Sequence, residues 1–278
     1  MTRMDRDWNL VWKEQMEKHR ASDGGRDCVD FWAKASTAKI YEKSARTTQG
    51  PRIARMMEDI TSNNHKRVLD IGAGPGILSI PLAKKVEHVT AVEPAKGMID
   101  RLREEMTAQN VQNLSCVEKR WEDVDLMQDL QGPYDAVVCS FALGMDDIRA
   151  ALEKMAAASS SRVYLYWFAG DSSWNVHYKE LYPMLHDRQY ESMPDSSVLM
   201  GVLEQMGVIF EASPFSYSSQ SDFANLPEAV GFYRYRYNVK TPEHESLLSE
   251  YLDKTLRKEN GKRVLDIHAK CMGISFSV

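Results

Sequence analysis

The sequence has few cysteines, and it has no long apolar run. Its four cysteines, Cys28, Cys116, Cys139 and Cys271, are scattered without a CxxC pair, which argues against a disulfide framework or a zinc knot. No apolar stretch approaches the roughly 18 residues that a membrane helix needs, and the charged start MTRMDRDWNL is unlike a signal peptide. We therefore expect a cytoplasmic protein with no membrane partner and no metal.

An excess of positive charge is also missing. The 278 residues carry 35 Lys and Arg against 40 Asp and Glu, a formal net charge of −5, which argues against a polyanion such as nucleic acid as partner. Hydrophobic residues make up 43% of the chain, enough for a sizeable core. We expect one elaborated domain.

The apolar pattern changes along the chain. Residues 5–60 show helical spacing, whereas from residue 66 short apolar runs alternate with longer amphipathic stretches. Such alternation predicts a parallel sheet with helices on both faces. The predicted strands are VLDI (68–71), VTAV (89–92), LSCV (114–117), YDAVVCS (134–140) and VYLYWF (163–168). Later, VIFEASPFSY (208–217) and the end of the chain from Arg263 predict strands, while PEAVGFYRYRYN and PEHESLLSEYLDKTLRKEN predict helices.

Three glycines on alternate positions follow the first strand, in VLDIGAGPG. Glycine permits positive φ and close approach of backbone to a ligand, and the carboxyl edge of such a sheet is where ligands bind. A dinucleotide fingerprint would need glycine at Ile77, and no G-K-[ST] follows to make a P-loop. Glu93 ends the next strand, where a carboxylate can accept hydrogen bonds from both hydroxyls of a ribose.

The stretch VLDIGAGPGILSIPLA followed by VTAVEPAKGMID resembles the first two motifs of the class I S-adenosylmethionine-dependent methyltransferases, especially the branch that acts on small molecules. The resemblance implies an α/β fold, a Rossmann-like, seven-stranded, mostly parallel sheet with a helical cap. It also implies S-adenosyl-L-methionine as cofactor. It divides the single domain into a helical cap (1–60), a cofactor-binding core (61–170) and substrate-side additions with the closing strands (171–278). The cofactor residues that it implies are Asp70, Gly72, Ala73, Gly74, Gly76, Glu93, Pro94 and Met98.

The third family segment departs from the usual pattern. In VEKRWEDVD, Lys119 and Arg120 stand where the family commonly has glycine-aspartate. The resemblance then places Trp121 beside the adenine ring, with Glu122 or Asp123 as the acceptor for its amino group. After the fourth strand, Ser140 and Phe141 are expected at the methionine end of the pocket, and no Asn-Pro-Pro-Tyr-like sequence follows them.

Methyl transfer from a sulfonium is an in-line displacement, which needs a positioned nucleophile and exclusion of water. We predict a small-molecule acceptor, with His177 as the candidate catalytic base or acceptor-orienting residue. The candidate substrate residues are Tyr41, Trp174, Tyr178, Tyr233, Arg234 and Tyr237. Alternatives are an RNA or protein methyltransferase, a non-catalytic cofactor-binding module, and a nicotinamide oxidoreductase, against which Ile77 counts.

KRVLDI occurs a second time at 262–267, followed by His268, Ala269 and Lys270 rather than by glycine. Side chains at these positions prevent the close backbone approach that glycine permits. We predict that this copy is only a strand, and the family topology makes it the antiparallel closing strand. His268 and Cys271 are spaced H-x-x-C, but two potential ligands do not make a metal site.

Overall fold

A computed structural model of the chain describes residues 6–34, 38, 41–42 and 50–278. Ten helices with defined bounds lie in these ranges: α1 (Trp8–Ser22), α2 (Cys28–Trp32), α3 (Gly50–Thr61), α4 (Ser79–Ala83), α5 (Lys96–Ala108), α6 (Ile148–Ala158), α7 (Ser173–His186), α8 (Ser196–Gln205), α9 (Leu226–Arg236) and α10 (Pro242–Thr255). None of them is long and apolar enough to cross a bilayer. Within the same ranges, no group of three or more His, Cys, Asp or Glu side chains is arranged to hold a metal ion.

One sheet forms the centre of the molecule. Its strands are β1 (Arg67–Ile71), β2 (His88–Val92), β3 (Leu114–Val117), β4 (Tyr134–Ser140), β5 (Ser159–Phe168), β6 (Glu211–Phe223), β7 (Arg257–Glu259) and β8 (Lys262–Ser277). The order is β3-β2-β1-β4-β5-β8-β6, with β7 paired to β8. Strands β1 to β5 are parallel, and β8 runs antiparallel to both β5 and β6.

The central strands are apolar along almost their whole length because both faces are covered. In β1 and β2 every residue after the first is buried, as expected for parallel strands between two layers of helices. Side chains of α1, α6 and α8 pack on one face with Trp12, Leu152 and Leu199. On the other face α3, α4 and α5 pack with Met56, Leu82 and Leu102. The predicted fold class is confirmed.

The structure corrects several boundaries. The strand predicted at 208–217 is β6, which begins at Glu211 and continues to Phe223. The helix predicted to run on to Asn260 ends at Thr255, and the following residues form β7. Asn260 and Gly261 both have positive φ and make the turn between β7 and β8. The sheet therefore has eight strands rather than the seven predicted.

The first helix, α1, packs in the helix layer on one face of the sheet rather than over the edge of the sheet, where a cap would lie. Trp12 and Met16 of α1 are buried in the layer beside α6 and α8, and Lys13 pairs with Asp147 at the start of α6. The part of residues 1–60 that does reach the cofactor edge follows α1: Ala38, Trp32 and Tyr41 pack against Ala95 and Met98 at the start of α5. The division of the chain at residues 60 and 170 stays a prediction.

The additions after β5 have a core of their own. Helices α7, α9 and α10 pack around buried Tyr178, Tyr182, Tyr233 and Tyr237, and β6 and β8 contribute Phe223 and Leu265. Tyr178 lies 4.4 Å from the ring of Tyr190 and is stacked on it. This aromatic core fixes α7 relative to the two long antiparallel strands, and it thereby fixes what α7 presents to the edge of the sheet.

The contact between α5 and the residues after α2 provides a test of this arrangement. We expect Gly97→Ala to destabilise the protein by about 1–3 kcal/mol, because a β-carbon at Gly97 would lie 2.3 Å from the carbonyl oxygen of Ala33. Gly231→Ala in α9 is the matched control, since a β-carbon there has no atom within 4 Å. That variant should gain about 0.5–1 kcal/mol from the lost chain entropy of glycine. Urea unfolding of both proteins measures the two effects, and a Gly97→Ala protein as stable as the control would contradict the contact.

Candidate active site

The glycine loop joins β1 to α4. Gly72, Gly74 and Gly76 all have positive φ, of 71°, 57° and 83°, which side chains other than glycine adopt at a cost. The N–H groups of Gly72 and Ala73 donate to the carbonyl oxygen of Val92 at 2.8 and 3.1 Å. The loop is therefore held against the end of β2, as its sequence predicts.

The three glycines meet different surroundings. A β-carbon on Gly72 would lie 2.1 Å from the Cβ of Ala142, and one on Gly76 would lie 2.3 Å from Leu102 Cδ1. Gly74 faces open space, with no atom within 4 Å of such a carbon. Gly72 and Gly76 are thus required by packing within the protein, whereas the open side of Gly74 is where a ligand can approach the backbone.

Glu93 follows β2 and lies beside the loop. Its Oε2 accepts a hydrogen bond from the N–H of Gly74 at 2.9 Å, and its Oε1 accepts one from the N–H of Ala95 at 2.8 Å. The side chain is 7% exposed. Burial raises the pKa of Glu93, and the two N–H groups oppose that rise because they favour the carboxylate. Each oxygen keeps a lone pair that can accept from a ribose hydroxyl.

Asp70 lies on β1 beneath the loop and lines the same cavity as Gly72, Gly74 and Ser140. It is 1% exposed and accepts a 2.5 Å hydrogen bond from Ser79 Oγ at the start of α4. Burial raises the pKa of Asp70 to about 6, the hydrogen bond from Ser79 opposes the rise, and the charge of Glu93 adds to it. A positive ligand group would stabilise its ionised form.

Pro94 and Met98, which the resemblance implies as cofactor residues, lie where α5 begins. Met98 is 3% exposed and packs with Ala95 and Ala38, so it fills a core in this structure. Pro94 is half-buried. A contact of either residue with adenine stays a prediction.

The segment after β3 contains a short 3₁₀ turn, Trp121–Asp123. Trp121 is 2% exposed, packs in the core beneath α6 and donates its indole N–H to the carbonyl oxygen of Ala151 at 3.2 Å. Glu122 and Asp123 are exposed. The Trp121 indole is therefore a core side chain in this structure. Its place beside an adenine ring stays a prediction, and so does the role of Glu122 or Asp123 as acceptor for the adenine amino group.

Ser140 is the last residue of β4 and lies next to the glycine loop, and Phe141 follows it. Ser140 Oγ lies 3.2 Å from Met56 Sδ. Phe141 has a φ of 57°, which is uncommon for a residue other than glycine and concentrates at functional sites. Its N–H donates to the carbonyl oxygen of Tyr166 at 2.9 Å. This conformation places the Phe141 ring 4.9 Å from Phe168 and 6.0 Å from Tyr217.

Two of the predicted substrate residues lie near this point. Tyr41 lines the cavity of the glycine loop. The ring of Trp174, at the start of α7, lies 5.2 Å from Phe168 in an edge-to-face arrangement. Both remain candidates for the acceptor side.

The other predicted substrate residues lie elsewhere. Tyr178, Tyr233 and Tyr237 are buried in the core of the additions, so they form no open wall for a ligand in this structure. Arg234 is half exposed and pairs with Glu245 of α10. Their role in binding the acceptor stays a prediction, and their positions favour a structural role.

His177 is placed on the side of α7 that faces α10. Its Nδ1 lies 2.7 Å from the hydroxyl oxygen of Tyr251, which in turn donates to Glu180. Burial lowers the pKa of His177, and the charge of Glu180 opposes that change. This hydrogen bond explains the position of the His177 side chain, on the side of α7 that faces α10. The catalytic role of His177 stays a prediction.

Three residues that the sequence did not nominate border the site. Arg52 and Met56 line the cavity from α3, and the ring of Tyr217 on β6 lies 6.0 Å from that of Phe141, which follows Ser140. The sequence signal available for α3 was the spacing of Arg52, Met56 and Ile60, which follow one another every four residues and therefore share one face of the helix. In the structure that face is buried. Tyr217 gave none, because its partner strand is distant in sequence.

Asp70 makes the stability of the fold depend on pH. Its folded-state pKa of about 6 exceeds the ordinary value of 3.8, so the folded protein holds this proton more tightly, and stability falls as pH rises from about 4 to 6. The two values differ by an amount worth about 3 kcal/mol. We expect Asp70→Asn to remove this loss, so that the stability of the variant relative to the wild type rises by that amount between pH 4 and pH 7. Urea unfolding at both pH values measures it, and a pH-independent difference would refute the role of Asp70.

The part of the chain that contains the glycine loop and Glu93 is also the part that matches a known protein family. Residues 68–160 match the family described as methyltransferase domain. An uncharacterized protein of Haemophilus influenzae is 30% identical over 111 residues, 40% of this chain and 40% of that protein. The protein-L-isoaspartate O-methyltransferase of Yersinia enterocolitica is 33% identical over 119 residues, 40% of this chain and 56% of that protein. The chain thus spans about half the length, or less, of these curated relatives.

Solved structures with a similar fold cover most of the chain. The YcgJ protein from Bacillus subtilis has a TM-score of 0.55 at 16% identity, covering 81% of this chain and 97% of that one. Magnesium protoporphyrin IX methyltransferase from Synechocystis, solved with bound S-adenosylhomocysteine, has a TM-score of 0.50 at 17% identity, covering 82% and 85%. The plantazolicin methyltransferase BamL, in complex with a desmethyl analogue and S-adenosylhomocysteine, has a TM-score of 0.54 at 13% identity, covering 98% and 99%. Residues 68–160 thus match a methyltransferase domain, and the chain has the fold of these solved structures.

Proposed function

We propose that this protein transfers the methyl group of S-adenosylmethionine to a small-molecule acceptor. The observation that carries the proposal is the pairing of Glu93 with the open side of Gly74, two residues that are joined by a 2.9 Å hydrogen bond. They lie beside β1, where the strand order reverses between β2 and β4. In sheets of this kind, ligands bind at that reversal.

The residues present suit this cofactor. Glu93 has lone pairs for the ribose hydroxyls, Gly74 leaves room beside the backbone, and the buried Asp70 lines the cavity, where a carboxylate favours an ammonium group. When bound, the cofactor supplies a methyl group already activated by a sulfonium. The protein then has to hold the acceptor in line with that group and keep water out, because positioning provides much of the rate enhancement for such a displacement.

The aromatic side chains near the glycine loop support a small acceptor. The rings of Phe141, Phe168, Trp174 and Tyr217 pack together beyond the end of β4 and β5, and apolar aromatic side chains are typical of small-molecule sites rather than of surfaces that bind a duplex. The net charge of −5 points the same way. The names of two structural neighbours, a magnesium protoporphyrin IX methyltransferase and a plantazolicin methyltransferase, are consistent with this class of acceptor.

Removal of the Glu93 carboxylate tests the cofactor site. Charge-assisted hydrogen bonds contribute about 1.5–3 kcal/mol each, so Glu93→Ala should weaken S-adenosylhomocysteine binding by at least about 100-fold through the loss of two of them. Glu87→Ala is the control, because Glu87 is exposed and pairs with Lys66 at 2.9 Å. Titration calorimetry measures both, with circular dichroism to verify folding. Equal affinity in the two variants would sink the assignment of Glu93.

A methyl-transfer screen tests the class of acceptor. Cell extract is incubated with the protein and radiolabelled cofactor, and the products are separated at about one kilodalton, above the size that enclosed sites admit. We expect the label mainly in the small fraction, with none above background for a Gly74→Val protein, because residue 74 has a positive φ that valine rarely adopts. Label mainly in RNA or protein would instead identify a macromolecular methyltransferase. Tight cofactor binding without any labelled product would identify a non-catalytic module.

A further inference from the structure

A second cavity lies between the end of α7 and the start of α10. We call it the α7–α10 cavity, and its lining residues lie within residues 183–188 and 238–244. Its volume is about 640 Å³, which is the size of a small-molecule site. Among the described residues, none lines both this cavity and the cavity of the glycine loop. A ligand of the α7–α10 cavity would therefore be distinct from the methyl donor and its acceptor.

The walls of the cavity are formed where α7 and α9 end. Asp187 follows α7 with a φ of 50°, and Asn238 follows α9 with a φ of 54°. This left-handed conformation ends helices, and Asp and Asn adopt it more readily than most residues. His186 joins the two helix ends, because its Nε2 donates to the carbonyl oxygen of Tyr237 at 2.8 Å. The cavity is thus part of the fold and does not depend on one loose loop.

Most polar side chains of the lining can donate hydrogen bonds to an anion. Arg188 and Lys240 are exposed cations that line the cavity. Asn238 adds an amide and His244 an imidazole. The Arg188 guanidinium is held in place at one nitrogen, since its Nη1 donates to the carbonyl oxygen of Ala21 at 3.3 Å. Its other N–H groups leave room for a ligand with several acceptor oxygens.

Basic groups also surround His186. Burial lowers the pKa of His186, the hydrogen bond to Tyr237 opposes that change, and the charges of Arg188 and His244 lower the pKa further. These groups therefore repel one another within a single cavity. An anion placed among them would relieve that repulsion and would favour the protonated imidazole.

Acidic groups are fewer at the cavity. Asp187 is the carboxylate among the lining residues. In the first turn of α10, Glu243 accepts hydrogen bonds from its own N–H and from Thr241, which lower the pKa of its carboxyl. Glu245 pairs with Arg234 at 3.1 Å. The lining thus sets one arginine, one lysine and two histidines against one carboxylate, which favours an anionic ligand.

We propose that the α7–α10 cavity binds a phosphorylated small molecule, with its phosphate held by Arg188 and Lys240. The planar guanidinium suits two phosphate oxygens at once, and the ammonium acts as a point charge beside them. Pro183, Met184 and Leu185 line the same cavity and offer an apolar surface to the rest of the ligand. This site is separate from the glycine loop, so the proposal does not rest on the proposed methyl transfer.

Phenyl phosphate is a suitable probe, because it joins a phosphate to an apolar ring. Nitrogen-15 NMR spectra of the whole protein are recorded during a titration. We expect a dissociation constant of about 1 mM or below, with shifts of the amides of Asp187, Arg188 and Lys240. Phenol, which lacks the phosphate, should leave these amides unshifted. Shifts confined to the glycine loop, no saturation by about 10 mM, or equal shifts with phenol would each overturn the proposal.

Three variants test the charges of the cavity with the same probe. Lys240→Gln should weaken binding by about tenfold, because it removes a charge-assisted contact. Lys254→Gln is the matched control, since Lys254 is exposed near the other end of α10 and does not line the cavity. It should keep its affinity within about twofold of the wild type.

Asp187→Asn should strengthen binding by about threefold, because it removes a like charge from the cavity while asparagine keeps the left-handed conformation. Thermal unfolding of all three variants shows that they are folded. Equal losses of affinity in the two lysine variants would show a general effect of protein charge and would overturn the site. Weaker binding by a folded Asp187→Asn protein would also contradict it.

Discussion

The two hydrogen bonds that Glu93 accepts hold the candidate site together. The glycine loop has positive φ at Gly72, Gly74 and Gly76, so it cannot continue the regular pairing of β1. The Glu93 carboxylate compensates by binding the N–H of Gly74 and the N–H of Ala95, which opens α5. One buried side chain thus sets the shape of the loop and offers its remaining lone pairs to a ligand. Order in the loop and affinity for a ribose therefore depend on the same group.

The close packing of the glycine loop also determines the acceptor side. The Cα of Gly72 lies so near Ala142 that a β-carbon would be 2.1 Å from the Cβ of Ala142. The chain after β4 must pass this point, and Phe141 does so with a φ of 57°. That strained conformation directs its ring toward Phe168, Tyr217 and Arg52. The packing of Gly72 against Ala142 thus links the glycine loop to the chain that carries the Phe141 ring.

Local patterns explain what could be predicted from the sequence. The glycines, Glu93 and the five parallel strands were all found, because each is encoded by neighbouring residues. The spacing that puts Tyr233 and Tyr237 on one helical face was also predictable, but not whether that face meets a ligand or a core, since α7 and α10 decide it. Arg52 and Tyr217 were missed because they meet only through the pairing of β6 with β8 and the packing of α3 on the sheet. Such contacts between distant parts of the chain leave no periodic signal.

The second KRVLDI shows how one strand serves both halves of the site. As predicted, it forms the antiparallel closing strand, β8. Its Leu265 packs in the core of the additions, while Ala269 and Cys271, further along, pack with the rings of Tyr217 and Phe141. His268, which precedes Ala269, is exposed. The acceptor side is thus tied to the additions through β8 and α7, and to the cofactor side through Arg52.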